Sequence, residues 1–226
     1  MKLFIDDANI EDIKRIYDLY PVDGVTTNPS ILAKQKRNPK EVLKEIREFI
    51  GEDGILFAQA LPLDAQGMID DALAITSVLG KNTVVKIPSI PEGFKAIKQL
   101  KEKGIITCGT VVYTPMQAYL AAKAGASYVA PYVNRIDNMG YDGIAITKQI
   151  QDILENNGMD CEVLAASFKN SQQVLELADY GVGASTCAPS VIDAFVKNPA
   201  IDGAVTDFIN DFESIGEGKS MKDYFG

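Results

Sequence analysis

Hydrophobic positions along the chain follow two alternating patterns. Short apolar runs recur as LFID (3–6), GVTTN (24–28), ILFAQA (55–60), TVVKI (83–87), ITCGTVV (106–112), YVAPYV (128–133), EVLAAS (162–167) and GASTC (183–187). Runs of this length, rich in β-branched residues and bounded by turn formers, read as buried strands. Between them, apolar residues return at every third or fourth position. IEDIKRIYDLY sets Ile10, Ile13, Ile16 and Tyr17 on one face, and PKEVLKEIREFI does the same with Val42, Leu43, Ile46, Phe49 and Ile50. That is amphipathic helix spacing. Asp64 and the pair Thr114-Pro115 predict helix starts, and Gly104, Gly125 and Gly181 predict helix stops.

Eight strands whose starts lie about 26 residues apart, each followed by a helix, predict parallel βαβ units. Eight such units close into a (β/α)8 TIM barrel, whose chemistry lies at the C-terminal ends of its strands. The rival is an open, doubly wound sheet; its nucleotide-binding version is weakened because no GxGxxG follows any strand. The expected organisation is one α/β domain over 1–226, with 199–226 as a C-terminal helical tail. The tail is longer than a closed barrel needs and is expected to cover one mouth or pack on a neighbouring subunit.

Composition narrows the chemistry. A formal net charge of −9 argues against nucleic acid or an anionic membrane as the main partner. The chain has no histidine, which removes Ser/His and Cys/His catalysis and histidine metal sites. Cys108, Cys161 and Cys187 are widely spaced, suggesting buried thiols in a reducing compartment. The opening MKLFIDDANIED does not read as a secretory leader, and no apolar run reaches the ~18 residues of a membrane span. The expectation is a cytoplasmic protein.

Within that frame the polar residues inside strands carry the information. Asp6, Asn28, Gln59, Lys86, Thr110, Tyr132 and Ser167 fall in the C-terminal halves of seven predicted strands. A ring of buried polar groups is hard to explain as core, since each must find a partner. Lys86, inside TVVKIP, is the central case. It either pairs with an acid such as Asp6 for structure alone, or serves as an amine nucleophile. A lysine in water has a pKa of ~10.4. Burial can lower that value, and at ~7–8 neutral amine becomes abundant enough to attack a carbonyl. Tyr132 is either a proton donor and acceptor, acting directly or through a water held by Gln59 and Thr110, or a hydrogen-bonded core tyrosine. Asp6 is a base for a substrate hydroxyl, or a helix-capping acid if Asn9 does not fill that place. Arg135, beyond the sixth strand, and Ser167 with Lys169, just before a helix, suit an anion; a solvated charge is the default for Lys169. Cys108 reads as an inert core thiol.

The stretches GVTTNPS (24–30), FAQ (57–59), VVKIP (84–88), GTVVY (109–113), APYVNRID (130–137) and LAASFK (164–169) resemble the transaldolase superfamily, most closely its fructose-6-phosphate aldolase branch. The likeness covers almost the whole chain, in order, on six strands. It implies a TIM barrel, a class I mechanism with neither metal nor other cofactor, a role in carbohydrate metabolism, and homo-oligomers (pentamers or decamers) built through the C-terminal helix. By position it implies Lys86 as the Schiff-base residue, Asp6 as the base at the cleaved bond, and Gln59, Thr110 and Tyr132 as the proton-handling group. It implies Asn28 at substrate hydroxyls or the amine, and Arg135, Ser167 and Lys169 at a phosphate. Gln59, Tyr132 and Ala130 stand where the transaldolases of this family have glutamate, phenylalanine and serine, so they side with the aldolase branch. The implied reaction cleaves fructose 6-phosphate to dihydroxyacetone and glyceraldehyde 3-phosphate. Transfer of the dihydroxyacetone unit to an aldose is the alternative, and a sugar-phosphate binding protein on a barrel without activity is a third reading. Asp7 stands where the family has a small hydroxyl residue, and TCAPS replaces an apolar residue and proline at the last strand.

Overall fold

A computed structural model describes residues 1–216 and 218–226. Eight strands alternate with helices: β1 (Lys2–Asp6), α1 (Ile10–Leu19), β2 (Gly24–Thr26), α2 (Pro29–Lys34), α3 (Pro39–Ile50), β3 (Ile55–Gln59), α4 (Ala65–Leu79), β4 (Thr83–Pro88), α5 (Pro91–Glu102), β5 (Thr107–Val112), α6 (Pro115–Ala124), β6 (Tyr128–Pro131), α7 (Val133–Asp137), α8 (Gly143–Asn156), β7 (Glu162–Ala165), α9 (Ser171–Tyr180) and β8 (Ala184–Cys187). The strands are all parallel and close in chain order, β1 pairing with both β2 and β8. The fold is therefore the expected TIM barrel.

The predicted helix signals are in place. Asn9, Asp64 and Thr114 cap α1, α4 and α6 with their side chains, each such cap being worth ~1 kcal/mol. Gly125, at φ 107°, ends α6 in the left-handed conformation that a Cβ disfavours. At Gly93, a Cβ would stand 1.9 Å from Pro88 O, so α5 can follow β4 this closely only without a side chain there.

Two hydrophobic layers position the site. The larger lies between strands and helices and holds the outward-facing residues, such as Ile5, Val85 and Ile87, against Ile13, Ile46, Ile97 and Leu100. The smaller fills the barrel interior with Phe4, Phe57, Val84, Cys108, Tyr128, Ala130, Leu164 and Ala184. Phe4 and Tyr128 both meet Phe57 edge to face at 5.2 Å. Because side chains alternate across a strand, the residue two places after each interior one also faces inward. Phe4 leads to Asp6, Phe57 to Gln59, Val84 to Lys86, Cys108 to Thr110, Ala130 to Tyr132 and Ala184 to Thr186. An apolar plug thus lies beneath a polar layer.

The chain divides into two compact units, Met1–Ile192 and Asp193–Gly226. A short helix α10 (Pro189–Asp193) ends the first; the second holds α11 (Pro199–Gly216) and α12 (Met221–Phe225). The expected tail thus contains two helices, joined in part by Tyr224 Oη donating to Gly216 O at 3.2 Å. α11 leaves Ile201, Val205, Phe208, Ile209 and Ile215 exposed. Among the described residues no helix is long and apolar enough to cross a membrane.

Candidate active site

Lys86 stands on β4 with 3% of its surface exposed. In register, Gln59 is its neighbour on β3 and Cys108 on β5. Its Nζ donates to Thr27 O at 3.3 Å, and no direct ion pair with Asp6 forms among the described residues. A close ion pair is therefore not formed, although Asp6 still feels the attraction of Lys86. Burial pushes the Cys108 thiol up to about 12 in spite of the nearby Lys86 charge, as suits an inert core thiol.

Asp6 ends β1 and is half-buried. Its Oδ1 accepts from Thr26 Oγ1 at 2.8 Å, and Thr26 Oγ1 meets Thr186 Oγ1 at 2.5 Å. Thr26 gives its one proton to Asp6, so Thr186 is the donor to Thr26. Burial is the largest influence on Asp6 and raises its pKa above the ordinary carboxylate value. Attraction to Lys86 opposes this first, then the Thr26 bond; Asp7 adds a little to the rise and Arg135 subtracts a little. Asp7 itself turns to the backbone, its Oδ1 accepting from Ala8 N at 2.7 Å and Asn9 N at 3.0 Å. It ties the loop before α1 rather than entering the ring.

Tyr132, 8% exposed, shares a 2.9 Å hydrogen bond between its hydroxyl and Thr110 Oγ1. Its backbone N donates to Val112 O at 3.1 Å, and it forms a single bridge to Ala166 just beyond β6. The Arg135 guanidinium lies 4.6 Å above the Tyr132 ring, and Tyr113 meets the same ring edge-on at 5.7 Å.

Several sequence expectations change in detail. Asn28 does not sit in a strand. It caps α2, a helix the hydrophobic pattern did not reveal, with its Oδ1 accepting from Ile31 N at 3.0 Å. Tyr132 and Ser167 also lie just past their strands, beside the isolated bridge between Tyr132 and Ala166. Ser167 adopts φ 64°, and its carbonyl accepts from Asn134 N at 2.9 Å. Arg135 is in the short helix α7, not a loop. Lys169 is exposed, and its one described hydrogen bond runs from its backbone N to Gln173 Oε1 at 2.9 Å. The structure gathers Asp6, Gln59, Lys86, Thr110, Tyr132 and Arg135 at one end of the barrel. It adds Thr26 and Thr186, both buried, which the sequence reading passed over. Both were detectable by the period of two, Thr26 as the inward residue two before Asn28 and Thr186 as the one two after Ala184.

An apolar groove of about 450 Å³ runs outside the barrel wall between α2, α3 and α4, lined by Leu32, Leu43, Leu61, Ile75 and Val78 among others. Gln59 also lines it, yet it holds neither Lys86 nor Asp6, so it is not where the polar ring does its work. Among the described residues, no group of three or more His, Cys, Asp or Glu side chains is arranged to hold a metal.

A buried amine, a half-buried carboxyl and a phenol–hydroxyl pair at the C-terminal strand ends define a TIM-barrel protein with its chemistry at the usual face of that fold. The chain belongs to the transaldolase/fructose-6-phosphate aldolase family, which matches residues 3–222. Solved structures share the fold at low identity. The native KDPGal structure is 15% identical, with a TM-score of 0.59 over 90% of this chain and 95% of that one. A doubly substituted flavocytochrome b2 with pyruvate bound is 14% identical, with a TM-score of 0.60 over 84% of this chain and 56% of that one. A singly substituted flavocytochrome b2 with benzoylformate is 16% identical, with a TM-score of 0.55 over 76% and 50%. The chain thus spans about half the length of the flavocytochrome chains.

Proposed function

We propose that the protein is a class I aldolase that cleaves fructose 6-phosphate to dihydroxyacetone and glyceraldehyde 3-phosphate, and catalyses the reverse addition. The observation that carries this reading is Lys86: 3% exposed, bonded only to a backbone carbonyl, and facing the mouth of the barrel. An amine of this kind is otherwise a cost to the fold. In the proposed cycle Lys86 Nζ attacks the ketose C2, and loss of water gives the iminium. Asp6 takes the proton of the C4 hydroxyl as the C3–C4 bond breaks. The bond's electron pair moves into the enamine, and the aldehyde departs. Tyr132, held by Thr110, supplies a proton to the enamine carbon directly or through a water near Gln59. Hydrolysis of the resulting iminium frees dihydroxyacetone and restores the amine.

Arg135 and Ser167 are the proposed phosphate ligands, with Asn28 Nδ2 donating to substrate hydroxyls. The Asn28 amide is available because its cap uses only the oxygen. Lys169 adds only a long-range positive charge. Transfer of the dihydroxyacetone unit to an aldose is the second reading. The Tyr132–Thr110 hydrogen bond favours the aldolase, because a donor beside the enamine lets the imine discharge without an acceptor. The exposed apolar face of α11 supports a homo-oligomer.

The test is borohydride reduction in the presence of dihydroxyacetone, followed by peptide mass spectrometry. Adduct mass on the peptide containing Lys86 is expected; an adduct on another lysine, or none, defeats the mechanism. Turnover of fructose 6-phosphate without an added aldose is expected, and an absolute requirement for the aldose would make the protein a transferase.

A further inference from the structure

The β5–α6 corner contains a feature that capping alone does not require. Val111 has φ 59°, a conformation that is a genuine outlier for a β-branched residue, and it marks a register shift between Gly109 and Val112 where β5 pairs with β6. Such strain persists only where surrounding groups over-determine it. Here one side chain, half-buried Gln117 on α6, bridges the whole corner. Its Nε2 donates to Val111 O at 3.4 Å and to Ser89 O at 3.2 Å, just past the strand of Lys86. Its Oε1 accepts from Tyr113 N at 3.0 Å and Thr114 N at 3.2 Å. The β5 end that it holds leads to Tyr132. Thr110, before Val111, bonds the Tyr132 hydroxyl; Val112 O accepts from Tyr132 N; the Tyr113 ring packs on the Tyr132 ring.

We propose that Gln117 is a positioning residue for the proton step: it locks the Val111 bulge and so aims the Thr110 hydroxyl and the Tyr113 ring at Tyr132. This rests on the aldolase reading, in which Tyr132 handles the proton of the enamine. Gln117 makes no described hydrogen bond to Lys86 and acts through Thr110 and Tyr113, so its loss slows proton transfer and leaves imine formation at Lys86 intact. An ordinary helix cap, by contrast, affects stability alone.

The experiment follows two signals in the full chain. Borohydride trapping of dihydroxyacetone on Lys86 reports the imine. Deuterium wash-in from D2O into the hydroxymethyl carbons of dihydroxyacetone reports loss and regain of the proton at the enamine carbon. In Gln117→Ala, wash-in falls on the order of 10- to 100-fold, as a slightly misplaced proton donor dictates, while trapping is unchanged. Asp64→Ala removes a helix cap on another element, the α4 cap oxygen that accepts from Gly67 N at 2.9 Å, and leaves both signals at wild-type level. If Gln117→Ala does not fold, Gln117→Met fills the space without the hydrogen bonds and carries the same expectation. Wash-in as fast as in the wild type, or trapping and wash-in falling together, overturns the assignment. A wild-type protein that shows neither signal defeats the aldolase reading instead.

Discussion

Replacing Lys86 with methionine separates a working amine from a structural one by the sign of the stability change. Methionine fills much the same space, and the buried position is 3% exposed. By analogy with buried ion pairs replaced by apolar side chains, exchanging this buried amine for a well-packed apolar residue gains about 1–4 kcal/mol while Asp6 is protonated. The loss of the long 3.3 Å bond to Thr27 O returns about 0.5–1 kcal/mol. The net expectation is a gain of about 0–3.5 kcal/mol, a rise in Tm of up to roughly 14 °C for a chain of this size. Had Lys86 been half of a structural pair with Asp6, the same change would cost about 3–5 kcal/mol. The pH dependence follows from Asp6. Lys86 is the first of the influences that hold its raised pKa down, so the variant raises the folded-state value further. A carboxyl with a raised folded pKa contributes stability that is complete below its unfolded value of ~4 and is lost as pH rises through the folded value. The gain in Lys86→Met should therefore be largest in mild acid and shrink toward neutral pH and above. Differential scanning calorimetry across pH, beside an activity assay, measures both. A destabilised variant at every pH, or a stabilised one that still cleaves substrate, refutes the reasoning.

Three further outcomes are expected. Tyr132→Phe removes the hydroxyl bonded to Thr110 and should cut release of free dihydroxyacetone by about 10²–10⁴; trapping at Lys86 and transfer to an added aldose survive, and equal loss of all three would deny the tyrosine its separate role. Gly93→Ala forces a Cβ to 1.9 Å from Pro88 O and should destabilise the chain by more than about 3 kcal/mol, beyond ordinary overpacking; an unchanged denaturant midpoint would show that α5 shifts freely. Phe208→Glu with Ile209→Glu, on the exposed face of α11, should reduce the mass measured by light scattering while leaving Lys86 trapping in place; a wild-type monomer would remove the assembly reading.

The strands and their order were legible because the signal is local. Most strands pair an inward apolar residue with a polar one two positions on, as Val84 with Lys86 and Cys108 with Thr110, and that period of two is written directly in the chain. Helix starts such as Asp64 and Thr114 were equally readable, since a cap depends on residues three apart. α2 was missed because its six residues, PSILAK, carry too little periodicity to separate them from the strand before.

What only the folded chain decided is which polar groups meet. The Thr186–Thr26 contact joins residues 160 apart, and Thr110 finds Tyr132 across 22; no local pattern ranks Thr186 above any other buried threonine. The left-handed turn at Val111 runs against that residue's own preference, so the sequence alone argues against it. Lys169 is the same residue type as Lys86, yet one is exposed and the other is enclosed. The sequence by itself determined the alternation that makes a barrel and the residue types that face its interior. Closure of β1 on β8 determined the rest, because parallel neighbours in a barrel are set by the geometry of the whole sheet and not by any stretch of it.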